Sequence, residues 1–443
     1  MQLTRWAAFL LLSGQPWPAN AHGTAHESRD TTNSQTAGIY TSRQDTCPTP
    51  AILRSPRAQE CPLPGRLGIL PSIPSSTLAW SQPPHCLPPT NTSRLDCLFT
   101  LQSFRNGHGT SVITSTTTMS DLVGAGVFVD RPSPPAAERR ESTLGKAYRV
   151  QNVPGRGKGV VAARRIRQGE ILMVDVPAVL VSMAVLAELK PHLRRRLIKR
   201  ALEGLPAETR QKVEGLQRGE GQGVDALLGT NTESVMLGEG EAAEVHVGLF
   251  AELARINHSC RPNAYYRFSQ NRLTMEVVAY RTIEAGQEVL MSYTPLKMKR
   301  APRREYLQQH WNFNCDCPLC HGPEEAAAES EERRTHIDEL RATMQDAKAN
   351  GYFGDAIAIA HDWRDFCEWE DLPLLPAEFY DIVAELHFLA GDWEKAATYA
   401  RMAVDGWVRF GSVDGSRLER ACAFLERASA RLREALEPSY KKG

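Results

Sequence analysis

Four short segments of this 443-residue chain concentrate the side chains that could do chemistry. The first, Gly155-Arg-Gly-Lys-Gly159, is a glycine-rich run in which missing Cβ atoms let backbone amides approach a ligand closely. It is not a dinucleotide fingerprint, which needs a helix after the glycines, because Val160-Val161-Ala162-Ala163 continues as a strand. The second, Arg255-Ile-Asn-His-Ser-Cys-Arg-Pro-Asn263, sets polar or reactive residues side by side from Asn257 to Arg261. That is poor material for a helix or strand interior and suits ligand groups or an ordered polar network. The third, Gly286-Gln-Glu-Val-Leu-Met-Ser-Tyr293, reads as a turn followed by a strand that ends in tyrosine. The fourth, Cys315-Asp-Cys317-Pro-Leu-Cys320, offers three thiolates, one short of a tetrahedral zinc site. Free buried thiols or a disulfide are its other readings.

In this order the segments resemble SET-domain lysine methyltransferases, over about residues 147–322. The string Asn257-His-Ser-Cys-Arg-Pro-Asn263 carries most of the resemblance, with Gly157-Lys-Gly159 upstream and Gly286-Gln-Glu…Tyr293 downstream. The long insert and the helical tail are similar to the SET-and-MYND branch and to fungal-type SET proteins. The MYND zinc finger is absent, since residues 181–254 hold no cysteine. The resemblance implies small β-sheets around a pseudoknot, with S-adenosylmethionine against the backbone of Arg156, Gly157 and Lys158. It implies that Asn257 and His258 hold the donor and that Trp311 and Phe313 line the lysine channel and stack on the donor. Tyr293 is then the catalytic residue, and Cys260 joins Cys315, Cys317 and Cys320 around a structural zinc. Trp311 stands where SET-and-MYND relatives more often have tyrosine, so the number of methyl groups transferred stays open. The chemistry needs little else: in-line methyl transfer depends on positioning. A dry channel beside a sulfonium also lowers the pKa of the incoming ammonium, so no His, Asp or Glu cluster is required.

These segments need strands and turns to hold them. Tyr148–Val153 and Val160–Ala163 alternate like strands, Arg167–Glu170 reads as a turn, and Ile171–Val181 resumes the strand pattern. Strands are expected again in Arg272–Tyr280 and Glu288–Tyr293. The fold class is therefore α+β: a SET core over 147–300 with a helical insert over 183–245, then a post-SET zinc segment over 301–322. An all-α region over 333–438 follows, in which Gly351-Tyr-Phe-Gly-Asp-Ala356 aligns with Gly391-Asp-Trp-Glu-Lys-Ala396. A glycine turn, an aromatic and small packing residues resemble tetratricopeptide-type helix pairs, which bind protein partners; an ordinary helical bundle is the alternative.

The N-terminus has another texture. Residues 1–21 read as a signal peptide, with Arg5, the apolar Trp6–Leu12 and the small-residue site Ala19-Asn-Ala21. Residues 22–75 are rich in Pro, Ser and Thr and read as disordered, 76–128 as a small Cys-containing module, and 129–146 as a linker. Cys47, Cys61, Cys86 and Cys97 allow three disulfide pairings, and Asn91-Thr-Ser93 is a glycosylation sequon, so entry into the secretory pathway or secretion is expected. The SET resemblance implies the nucleus or cytoplasm instead. Lys plus Arg and Asp plus Glu both number 52, so no global field recruits nucleic acid. The basic clusters Arg194–Arg200 and Lys297–Arg304 read as solvated helix faces, and no apolar run is convincing as a membrane span. The expectation is a protein-lysine N-methyltransferase acting on an exposed lysine of a histone or another protein. Its rivals are a catalytically silent SET scaffold with a partner-binding tail and a secreted Cys-stabilised binding protein.

Overall fold

The computed structural model describes residues 80–88, 94–129, 146–219, 221, 223–238, 243–296, 298–372, 376–411 and 416–436. Short strand β1 (His85–Cys86) precedes β2 (Asp96–Leu101) and β3 (Thr110–Ser115), the latter two buried at every position. Helix α1 (Thr116–Gly124) starts on Ser115, whose hydroxyl accepts the Thr118 amide N–H. The hairpin of β4 (Tyr148–Val153) and β5 (Gly157–Ala162) turns through Gly155 at φ +74°, a conformation that a Cβ would strain. Strands β6 (Ile171–Asp175) and β7 (Pro177–Ser182) lead into helices α2 (Met183–Glu188), α3 (Pro191–Glu203), α4 (Ala207–Glu214) and α5 (Val224–Asn231). Then come β8 (Thr232–Leu237), β9 (Glu244–Phe250), β10 (Asn257–His258), β11 (Ala264–Ser269), β12 (Thr274–Ala279) and β13 (Leu290–Met291). Helices α6 (Arg300–Trp311) and α7 (Pro318–His321) flank the thiol segment. The tail is α8 (Glu324–Ala349), α9 (Phe353–Trp369), α10 (Pro376–Leu389), α11 (Trp393–Phe410) and α12 (Ser416–Leu436).

The largest sheet runs β1-β2-β3-β7-β9-β8, antiparallel except where β3 meets β7. Strand alternation splits its side chains between two cores. Cys97, Phe99 and Leu101 join Val160, Ile256 and Met291 on one face, while Leu98 joins Val179, Val181, Leu197 and Ile198 on the other. With both faces covered, β7 carries a near-continuous apolar run rather than an alternating one. The smaller sheets are β11-β12-β6, the β4–β5 hairpin and the parallel pair β10–β13. This is an α+β fold, as expected.

Several boundaries differ from the sequence reading. Residues 76–128 are not a separate module: β2 and β3 are built into the main sheet, because buried strands with apolar residues on both faces need partners that only β7 and the helical layer supply. The insert over 183–245 is helical only to Asn231, after which Thr232–Leu237 and Glu244–Phe250 pair as a hairpin. Ala264–Ser269 is a strand that the sequence reading left out, and the expected strand at Glu288–Tyr293 shortens to Leu290–Met291. Of the four upstream cysteines, Cys86 and Cys97 form a disulfide across the β1–β2 pair. The signal peptide, the region over 22–75, Cys47, Cys61, the sequon and nearly all of the 129–146 linker lie outside the described residues.

In the tail, Gly351 and Gly391 both take left-handed backbone, at φ +78° and +79°, just before α9 and α11. Ala356, Ala360, Ala396 and Ala400, the small residues of the internal alignment, are all buried. The tail docks on the β-core through the Tyr265 hydroxyl, which donates to the Phe410 carbonyl (2.8 Å), and an Arg281–Asp371 ion pair (2.7 Å). Within the tail, the fully buried Glu370 receives Arg333 at 2.8 Å and Arg334 at 2.9 Å, and also a hydrogen bond from Ser330. Glu370→Ala would leave the buried Arg334 guanidinium without its carboxylate, and we expect it to cost about 3–5 kcal/mol. A lowered urea midpoint is the readout; an unchanged midpoint would mean that the cluster is already solvated.

Candidate active site

The polar string at 255–263 runs alongside residues 288–293, and side chains do much of the joining. Asn257 pairs with Leu290 and His258 with Met291 in the parallel β10–β13 ladder. Asn263 then acts as a substitute backbone: its amide nitrogen donates to the Glu288 carbonyl (2.8 Å) and its oxygen accepts from the Leu290 amide (2.8 Å). An asparagine there satisfies strand groups that a regular neighbour would otherwise satisfy. The glycine loop closes on the same place. A Cβ on Gly159 would lie 2.5 Å from Glu288 Oε1 and 2.8 Å from Asn257 Nδ2, so only glycine fits.

Arg156 and Asn257 hold the loop against the string. Arg156 donates to the His258 carbonyl (3.3 Å) and pairs with Glu288 (3.5 Å) and Asp316 (2.8 Å). Asn257 Nδ2 donates to Glu288 Oε1 (2.7 Å) and to the Lys158 carbonyl (3.4 Å). Gly157 and Lys158 are themselves exposed at the start of β5.

His258 is buried, and its ring is doubly engaged. Its Nδ1 accepts the Tyr293 backbone N–H (2.9 Å), which puts the proton of the neutral ring on Nε2, 3.2 Å from Cys260 Sγ. Burial pushes this imidazole down to about 3, against the Cys317 sulfur and aided by Arg303 and Arg156, so it stays neutral. The Tyr293 hydroxyl donates to the Ile256 carbonyl at 2.6 Å. Burial pushes the phenol well above its usual range, with Glu233 and Glu288 adding to the effect and Arg156 opposing it, so it remains a protonated donor. Around it lie Trp311, His258 and Phe313, with ring centroids 5.0, 5.3 and 6.5 Å away. Tyr293, Trp311 and Phe313 are each half-buried, so this aromatic cluster opens to solvent.

The thiols converge beside it. Cys260, Cys315, Cys317 and Cys320 are buried with all four sulfurs within 4.8 Å of one another; Cys260 Sγ is 3.8 Å from that of Cys315 and 3.5 Å from that of Cys320. A tetrahedral zinc with Zn–S of about 2.3 Å needs sulfurs about 3.8 Å apart. Four converging thiols with one nearby guanidinium, Arg303 (3.7 Å from Cys320 Sγ), are a donor set that a divalent cation would deprotonate and hold.

All twelve residues expected from the sequence therefore gather in one region: Arg156, Gly157, Lys158, Asn257, His258, Tyr293, Trp311, Phe313 and the four cysteines. The sequence reading gave no role to Ile256, Glu288, Glu233, Tyr266 or Tyr306. Ile256 and Glu288 stood inside quoted segments, and the others belong to elements whose three-dimensional partners no local pattern reveals.

Comparison with known proteins agrees with this geometry. The SET domain profile matches residues 157–294. This chain carries a SET domain over those residues. Similar proteins include "Histone-lysine N-methyltransferase set5" of Schizosaccharomyces pombe, 23% identical over 286 residues, covering 63% of this chain and 83% of that protein. "Histone-lysine N-methyltransferase SMYD3" of Mus musculus is 35% identical over 112 residues, 23% of this chain and 26% of that protein. "Protein-lysine N-trimethyltransferase SMYD5" of the same species is 37% identical over 76 residues, 16% and 18% respectively. Against the last two, the SET-domain chain spans about a quarter or less of the relative's length.

Proposed function

We propose that this SET-domain protein is an S-adenosylmethionine-dependent protein-lysine N-methyltransferase, with a histone or another protein as substrate. The observation that carries the reading is the pairing of the Tyr293 hydroxyl with the Ile256 carbonyl, 2.6 Å apart in a half-buried aromatic cluster. A phenol and a carbonyl can align an amine without adding charge, and alignment is the main demand of methyl transfer. The residues fit a methyl donor: exposed backbone at Gly157 and Lys158 beside the string Asn257-His258, and Phe313 and Trp311 as flat walls. When bound, the donor supplies an electrophilic methyl group on a sulfonium. Arg156 and Asn257 brace the loop, Trp311 and Phe313 exclude water, and Tyr293 orients the amine.

Cys260, Cys315, Cys317 and Cys320 would hold a structural zinc, which fastens the segment carrying Trp311 and Phe313 to the Asn257–Cys260 string. The string passing beside residues 288–293 supports the pseudoknot reading. Paired tail helices with buried alanines support a tetratricopeptide-like surface for protein partners. The first relative's name and a four-thiol site both favour the nucleus or cytoplasm. Among the described residues no helix is long and apolar enough to cross a membrane.

The test is transfer from labelled S-adenosylmethionine by the full-length, zinc-loaded protein to a histone panel and a cell lysate. Mass spectrometry should locate the label on lysine. Donor binding with no lysine labelled in any fraction would favour the scaffold reading.

A further inference from the structure

One carboxylate in this site has no counterpart among the four motif segments. Glu233 lies at the start of β8, on the face that also carries Val235 and Leu237 into the main core. Its Oε2 accepts the Tyr266 hydroxyl at 2.7 Å. Among the described residues Tyr266 is the one hydrogen-bond donor that reaches this carboxylate. The Trp311 indole N–H donates to the Thr230 carbonyl (3.1 Å), which ties the aromatic cluster to the chain just before Glu233. Tyr293 and Tyr306 lie 5.0 and 6.0 Å from Trp311, and both phenols feel the Glu233 charge. Tyr266, Tyr293 and Tyr306 are thus the titratable groups facing Glu233, and no arginine or lysine among the described residues offsets it.

A half-buried carboxylate in an aromatic wall with no cation is costly unless a cation arrives. The arriving cation under the methyltransferase reading is the substrate ammonium. We infer that Glu233 stands in the lysine channel and accepts the proton that the substrate must lose before it becomes a nucleophile. The N–H bond of the ammonium breaks, its electron pair stays on nitrogen, and the O–H bond forms on Glu233; the proton leaves to solvent after turnover. Burial raises this carboxyl to about 7, against the Tyr266 hydrogen bond, which suits a base at neutral pH. The desolvated channel is then assisted by a base, where the sequence reading required none. The inference rests on the methyltransferase reading.

Glu233→Gln and Tyr266→Phe in the full chain test it, with the lysine substrate found by labelled transfer. The wild-type rate should rise with pH through about 7, the value set by Glu233. Glu233→Gln should lose that limb, fall about 10²-fold at pH 7, and recover toward the lysine's own value near 10.4. Tyr266→Phe removes the bond that lowers the Glu233 value, so its limb should move to higher pH. A second readout needs no activity. A carboxyl raised from 4.5 to about 7 by folding weakens the fold above about 7 and leaves it unaffected below 4.5. Glu233→Gln should therefore have a higher Tm than wild type at pH 8, and the gain should vanish near pH 4.5. An unchanged pH–rate profile in Glu233→Gln overturns the inference while wild-type transfer still stands. A wild-type protein that labels no lysine overturns both this inference and the reading beneath it.

Discussion

Tyr293→Phe is expected to lower methyl transfer about 10²-fold or more while leaving donor affinity within about twofold. The substitution deletes one oxygen. The backbone N–H that Tyr293 gives to His258 Nδ1 is unaffected, and the ring keeps its place against Trp311 and Phe313. The Ile256 carbonyl, by contrast, loses its 2.6 Å donor, so the amine meets one oriented oxygen instead of two. Single-turnover rates beside calorimetric donor titration separate the effects. A variant that transfers at the wild-type rate would remove Tyr293 from the chemistry. Because burial holds the phenol protonated well above its ordinary range, its ionisation should add no falling limb to the wild-type profile up to about pH 10.

The other large effect belongs to the thiols. Cys317→Ser should abolish a bound zinc, measured by elemental analysis as one per chain in the wild type, and lower Tm by about 10 °C or more. Donor affinity should fall with it. Trp311 and Phe313 immediately precede the thiol segment, Asp316 within it pairs with Arg156, and Cys260 touches the His258 ring that receives the Tyr293 amide. Loss of the metal would therefore loosen both the aromatic wall and the catalytic tyrosine. A Cys317→Ser protein with wild-type metal content and Tm would show that the four sulfurs hold no structural ion.

The site was legible in the sequence because its residues come in short strings whose order is fixed by chemistry. Asn257, His258 and Cys260 sit within four positions of one another, and Cys315, Cys317 and Cys320 crowd three thiols into six positions. Glu233 could not be read that way. It belongs to an ordinary strand sequence, and its meaning arises only when β11 brings Tyr266 against it. The same contrast runs through the fold. Tyr148–Val153 and the turn at Arg167–Glu170 follow from local alternation and a glycine at φ +75°. The assignment of β2 and β3 to the main sheet does not, because parallel pairing of β3 with β7 is specified by burial on two faces rather than by any turn.

That pairing also sets a timetable for synthesis. β2 and β3 leave the ribosome as an apolar hairpin whose open edge has no partner until Pro177–Ser182 emerges, and one face stays uncovered until α3 has formed behind it. β9, which closes the far side of β7, comes later still. For that interval the nascent chain displays an unpaired strand edge flanked by buried-type side chains, the state in which slow, long-range sheets are most prone to associate wrongly. The Cys86–Cys97 pair bridges β1 and β2 on the other side of β2 from that open edge, so it leaves the edge itself uncovered.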